Sequence, residues 1–269
     1  MADKYLLYID ILGFESLVWK DKKSVEMIYK IINTLNAHRH SLFDTIVFSD
    51  TILVYNKYPP QTEKEHKHLV WCLIEFAEDL RHRLTGLNIF FRAILTKGEF
   101  EHYQLSNLQA FFGPALINAY HKEKDIPSLG LFIDRQCGDY NEYYPTRMFD
   151  HDVSFVYLCR DIKMLIKECG GNFPVEKGWS FFFNEMDNFP WLIYEVEYLK
   201  SLHHNMNENK CEKVRLKHQS AWDYYYHEYG SFLDFLTAND FSLDALCPGV
   251  SFLEKKKLMM NDIRYFCSL

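Results

Sequence analysis

No CxxC pair occurs among the seven cysteines of this chain, which stand scattered at positions 72, 137, 159, 169, 211, 247 and 267. An odd, dispersed set reads as reduced thiols in a reducing compartment, not as a disulfide framework or a zinc site. An excess of basic charge is also missing. The net charge of -7 removes the footprint of a general nucleic-acid binder, although a local basic pocket for phosphates is still allowed. No run of about 18 apolar residues exists, so no membrane span or direct membrane insertion is expected. The opening MADKYLLYIDILGF has no basic segment followed by a long apolar stretch, because Asp10 interrupts the apolar run. A signal peptide is therefore not expected, and the predicted location is cytoplasmic. Internal repeats and low-complexity tracts are absent as well.

What the chain does have is length and apolar mass. Its 269 residues suit one large domain, or one and a half at roughly 150 residues per domain. An apolar fraction of 48% is enough for a sizeable core and excludes wholesale disorder. Aromatics are abundant, and many lie beyond residue 140. Core packing is the stronger reading for them, and an oligomer interface the weaker.

Periodicity sets out the elements. Residues 4–10 form a short apolar run closed by Asp10 and Gly13, as for a buried strand leaving through a turn. Over 22–36, Val25, Ile28, Ile32 and Leu35 share one helical face. The stretch TIVFSDTILVY at 45–55 predicts a hairpin with Asp50 at or near its tip. Pro59 and Pro60 break the chain. Thr62 and Glu65 form a capping box for a helix whose stripe is Leu69, Leu73, Phe76, Ala77 and Leu80. A strand follows at 88–95, a helix opening at Gly113-Pro114, and a strand at 130–134. The first six elements have the β-α-β-β-α-β order of the ferredoxin-like arrangement, so the fold class is α+β. Residues 153–168 read as strand or helix, 203–213 as a loop or helix junction, and 218–237 as an aromatic helix. The expected division is 1–150 as the core and 151–269 as an aromatic-rich α/β extension, packed on the core or on a partner.

Asp10 and Asp50 are both acids placed where a strand gives way to a turn. Adjacent antiparallel strands run ~4.8 Å apart. Two carboxylates at neighbouring strand ends can therefore share a pair of ions about 3.5–4 Å apart. Carboxylate and phosphate oxygens suit Mg²⁺ or Mn²⁺. The competing reading is that both aspartates cap turns.

Four segments bear a family resemblance in order: Asp10-Ile11-Leu12-Gly13-Phe14, Phe48-Ser49-Asp50-Thr51, Arg92 to Gly98 (RAILTKG), and Gly113 to Glu123 (GPALINAYHKE). Together they resemble the D-I-x-G-F, second-aspartate, R-x-G-I-x-x-G and G-x-x-V-N-x-A-x-R-x-E segments of class III adenylyl and guanylyl cyclases. The resemblance covers about half the chain. It implies a class III cyclase core in which Asp10 and Asp50 bind two divalent ions, Mn²⁺ or Mg²⁺, with support from the Ile11 carbonyl. It further implies that Ile11, Leu12, Gly13 and Phe14 cradle the phosphates of a nucleoside triphosphate through backbone N–H groups. Pyrophosphate would leave as the ribose 3′-hydroxyl closes a cyclic nucleotide. Active sites of this family are composite, so a single set of motifs implies a homodimer.

The departures from the family pattern are informative. Ile117 stands where the family has its transition-state Asn, and His121 where it has its phosphate-binding Arg. Asn118 and Lys122, one residue later, are also four apart and share a helix face. His121, Lys122, Lys97 and Arg135 are candidate cations. Arg92 is read equally as a catalytic residue or a structural ion pair. The family's purine-selecting Lys has no counterpart. Instead Asp44, Ile46 and Phe48 alternate onto the face of Asp50, which makes Ile46 and Phe48 candidate base contacts. The D-I-L-G-F, F-S-D-T and A-Y-x-x-E segments are similar to those of stand-alone Pycsar antiphage cyclases. That similarity implies UTP or CTP as substrate, cUMP or cCMP as product, and an effector protein that senses it.

Two rivals are weighed against this reading. The first is a catalytically inactive cyclase-like module for dimerisation or ligand sensing, motivated by Ile117 and His121. The second is an RNA-binding module on a ferredoxin-like sheet, opposed by the acidic charge and the missing aromatic signature. His66 and His68 are two apart on a predicted helix and do not face one ligand, His38 and His40 flank Arg39 in an expected loop, and His203-His204 lacks companion ligands at zinc spacing, so all three pairs read as solvated.

Overall fold

The computed structural model describes residues 2–176 and 191–268. The chain divides into two compact units: Met1–Arg81 with Ile89–Leu158, and His82–Asn88 with Cys159–Leu269. The first unit thus runs past the expected boundary at 150. The reason is local: Val153–Val156 forms a strand of the first unit's sheet, pairing antiparallel with Gly130–Asp134.

The first unit is α+β and opens with strand β1 (Ala2–Ile11), helix α1 (Phe14–Lys20) and helix α2 (Lys22–Asn33). Strands β2 (Phe43–Phe48) and β3 (Thr51–Asn56) form the expected hairpin, followed by helix α3 (Glu63–Leu84) and strand β4 (Phe91–Gln104). The strands of this βαββαβ set lie in the order β2-β3-β1-β4, and neighbours are antiparallel. That is the ferredoxin-like arrangement. A short strand β5 (Gln109–Phe112) folds back on β4, and helix α4 (Pro114–Asp125) leads into strand β6 (Gly130–Asp134), parallel to β4. Strands β7 (Thr146–Met148) and β8 (Val153–Val156) complete the far edge.

Residues 5–9 of β1 are all buried, because this central strand is covered on both faces. On one face α3 contributes its stripe, with Leu69, Leu73, Phe76, Ala77 and Leu80 all buried. Thr62 accepts a hydrogen bond from the Glu65 N–H (3.3 Å), but the Glu65 carboxylate reaches back to the Gln61 N–H (2.6 Å). The capping box therefore closes one residue earlier than its sequence form implies. On the other face α4 lies close to β4, with Ala115 over Gly98. A Cβ at position 98 would sit 3.4 Å from that of Ala115. At the start of α4, Gly113 has φ +147°, and a Cβ there would meet the Glu99 carbonyl oxygen at 2.3 Å. Only glycine fits this approach of chain to strand.

The described part of the second unit is built from helices, chiefly Arg160–Glu168, Leu192–Glu208, Glu212–Ala238 and Leu253–Ser268. Many of its aromatics are core: Tyr198, Trp222, Tyr225, Tyr229 and Phe232 are buried, while Trp191, Tyr226 and Tyr265 are exposed. Segment 177–190 of the expected extension lies outside the described residues. The six cysteines described are free thiols, four of them buried.

His218 lies buried in the helix Glu212–Ala238, where burial pushes its pKa below 6.5, against a hydrogen bond to the Val214 carbonyl. The unfolded chain therefore binds the extra proton more readily. Stability from this group is fully present above about pH 6.5 and is lost as pH falls toward the folded-state pKa. We expect thermal melts between pH 7 and 5 to show declining stability. His218→Leu should flatten that slope, and an unchanged slope in the variant would contradict the assignment.

Candidate active site

The register brings the two aspartates together. Asp10, at the end of β1, sits opposite Thr51 on β3 and opposite Arg92 on β4. Asp50 occupies the two-residue turn just before Thr51. Ser49 provides the positive φ, +54°, that such a turn needs at its first central position. The Ile11 N–H donates to the Asp50 carbonyl (2.9 Å), fastening the turn to the strand that carries Asp10.

Tyr8 lies two residues before Asp10 and so on the same face. Its hydroxyl is 3.5 Å from the Thr51 hydroxyl. Burial pushes the Tyr8 phenol up and the Thr51 hydrogen bond opposes this, while the charges of Asp10 and Asp50, together with Tyr120 of α4, push it higher. The charges of both carboxylates thus bear on one phenol. Asp44, Ile46 and Phe48 belong to this face through their pairing with Tyr55, Leu53 and Thr51. Phe48 is 69% exposed, and Lys57 reaches Asp44 at 3.2 Å at the far end of the strand.

The loop after β1 is held by its neighbours. The Leu12 N–H donates to the Phe90 carbonyl (2.9 Å), so it is already committed and does not suit the phosphate-binding role expected of it. Gly13 takes φ +76° and caps α1, a conformation that glycine adopts without strain. Phe14 is buried and packs edge-on against Tyr29 (5.9 Å between ring centroids). The Tyr29 hydroxyl donates to the Ser49 carbonyl (3.0 Å). Tyr29 therefore clamps the Ile11–Phe14 loop to the Asp50 turn.

Arg92 is 7% exposed and Glu123 4%. The Arg92 guanidinium donates to the Glu123 carboxylate and to the Ile126 carbonyl, which binds α4 to β4 beside Asp10. Of the two readings of Arg92, the ion pair is the one the geometry contains. On α4, Ala115, Ala119 and Glu123 face the sheet. Ile117 (57% exposed), Asn118 and His121 face outward, while Lys122 is half-buried.

Sequence reasoning missed Tyr8, Tyr29, Thr51 and Tyr120 as site residues. Alternation along β1 would have found Tyr8, whereas the others depend on long-range packing. It also read three histidine pairs as solvated, but several members are engaged. His66 lies 2.6 Å from the Tyr5 hydroxyl and stacks on Tyr140. His203 packs on Trp222 and Phe241. His40 lies between Phe43 and Phe76.

No family model matches the chain, and no curated protein matches it. Solved structures do resemble it in fold. The adenylyl cyclase CyaB from P. aeruginosa is 12% identical with a TM-score of 0.42, over 58% of this chain and 93% of that one. The monomeric guanylyl cyclase domain of the RhoGC fusion protein from the aquatic fungus Blastocladiella emersonii is 15% identical with a TM-score of 0.46, over 57% and 94%. A class III adenylyl cyclase-like ATP-binding protein from Pseudomonas aeruginosa is 16% identical with a TM-score of 0.39, over 52% and 35%. No described helix is long and apolar enough to cross a membrane.

Proposed function

We propose that this chain is a nucleotidyl cyclase that converts a nucleoside triphosphate to a 3′,5′-cyclic nucleotide and pyrophosphate. The observation that carries the reading is the adjacency of Asp10 to the Asp50 turn, which is fastened by its carbonyl to the Ile11 N–H. Hard carboxylate oxygens are the donors that Mg²⁺ and Mn²⁺ prefer, and the nearest cation by register, Arg92, is committed to Glu123. Asp10 and Asp50, with the Ile11 carbonyl, would therefore hold two such ions. When bound, these would draw charge off the α-phosphate and favour attack by the ribose 3′-hydroxyl. The chain's own part is to position: Tyr29 fixes the loop and turn, and Arg92 fixes α4 beside them.

The substrate reading is a pyrimidine triphosphate, UTP or CTP, giving cUMP or cCMP. Its support is the resemblance to Pycsar cyclases and the absence of a purine-selecting cation beside Ile46 and Phe48. By the same resemblance the product would be a second messenger for antiphage defence, read by an effector protein. The outward-facing Ile117, Asn118 and His121, with half-buried Lys122, suit a composite site in a homodimer. Each subunit would then supply α4 to its partner's aspartates.

Incubating the purified protein with each of the four triphosphates and Mn²⁺, then identifying products by mass spectrometry, tests both levels. We expect a cyclic pyrimidine nucleotide from one of UTP and CTP. A cyclic purine product would overturn the base assignment alone. No cyclic product from any nucleotide would overturn the enzyme and leave the inactive module, which the apolar Ile117 favours.

A further inference from the structure

On the first unit, one histidine from each of two sequence pairs meets a buried thiol. His68 and Cys72 are four apart on α3 and so share a helix face. His40 arrives from the segment that leads into β2. The Cys72 Sγ lies 3.7 Å from His68 Nε2 and 3.8 Å from His40 Nε2, and the three ligand atoms lie within 4.8 Å of one another. Zinc bonds of about 2.0–2.1 Å to nitrogen and 2.3 Å to sulfur, at a tetrahedral angle, place N and S about 3.6 Å apart. Two edges of such a tetrahedron are thus already present.

We infer that His40, His68 and Cys72 form a zinc site that staples the segment before β2 onto α3. Soft thiolate with imidazole selects Zn²⁺ over the hard ions that suit Asp10 and Asp50. On binding, the Cys72 S–H gives its proton to solvent, and thiolate and two neutral imidazoles take three positions. Water completes the fourth. A cavity of about 300 Å³ lined by His38, His40, Asp44 and Lys57, among others, borders His40, and His68 is exposed.

The surroundings fit this reading. Burial pushes the Cys72 thiol up to about 11, with Glu75 adding to it, a cost that a bound cation has to overcome. Binding through His40 Nε2 places the ring proton on Nδ1. That proton displaces only the long hydrogen bond that the Leu42 N–H gives to Nδ1, 3.4 Å. The zinc site is independent of the proposed cyclase activity.

Co²⁺ added to the full chain in excess Mg²⁺ reports the site, because only a thiolate ligand gives the sulfur-to-cobalt charge-transfer band. We expect that band in the wild type, its displacement by Zn²⁺, and a higher melting temperature with Zn²⁺ than with chelator. Asp10→Ala and Asp50→Ala should keep the band. Cys72→Ser and His68→Ala should lose it and weaken zinc binding at least about tenfold. His68 is exposed, so its variant keeps the fold. Absence of the band in the wild type, or its persistence in Cys72→Ser through another thiol, overturns the site.

Discussion

Asp50→Ala should remove nearly all turnover while the purified protein stays folded. Deleting one preorganised group that stabilises developing charge costs ~10²–10³-fold in turnover. Asp50 would hold both ions with Asp10, so a loss of about 10³-fold or more is expected. The fold has little reason to change. The hydrogen bond that fixes the turn runs from the Ile11 N–H to the Asp50 carbonyl, which alanine retains. The positive φ belongs to Ser49. Removing one of two neighbouring carboxylates also relieves repulsion. A melting curve that overlays the wild type, alongside the lost product signal, is the expected pair of measurements. Full activity in Asp50→Ala would end the metal assignment.

Asp10→Asn should match that loss in turnover for a different structural cost. Asp10 faces Arg92 across the β1/β4 register, and its charge favours the guanidinium against the burial that opposes it. Neutralising Asp10 therefore disturbs a buried ion pair, whereas neutralising Asp50 does not. Equal loss of activity with unequal loss of stability is the signature of this arrangement.

Local patterns made much of this site legible in the sequence. Alternation and the Ser49-Asp50 break predicted the β2–β3 hairpin, and the element order predicted the ferredoxin-like sheet, because both depend on nearest-neighbour rules. Contacts distant in sequence were not legible. Nothing at 22–36 reveals that Tyr29 reaches Ser49, and no local spacing joins His40 to His68 and Cys72. The histidines were read pair by pair, while the fold brings together one from each of two pairs. Residues 153–168 were ambiguous because they hold a four-residue strand and then a nine-residue helix, each too short for a clear period. On α4, matching to the family pattern put Ile117 and His121 at the functional positions and left Asn118 and Lys122 one residue away, but the faces of the helix are set by Ala115, Ala119 and Glu123 packing on β4. Only the sheet could decide that.

That packing leads to the second large effect. Arg92→Met would leave the buried Glu123 carboxylate and the Ile126 carbonyl without the guanidinium, and Glu123→Gln would leave the guanidinium without its anion. Breaking a buried pair in this way costs ~3–5 kcal/mol. At ~2–4 °C per kcal/mol for a protein of this size, each variant should melt roughly 10 °C lower. The paired replacement Arg92→Met with Glu123→Leu should recover much of the loss, since an apolar pair of similar volume carries no uncompensated charge. The difference between the double variant and the summed singles measures the coupling directly. Arg92→Lys separates positioning from substrate contact. Lysine keeps a charge near Asp10 but lacks the planar fork that reaches Glu123 and Ile126 together. If Arg92 positions α4, this variant should lose stability and kcat while KM for the triphosphate holds. An unchanged melting temperature with a raised KM would instead place the guanidinium on the substrate.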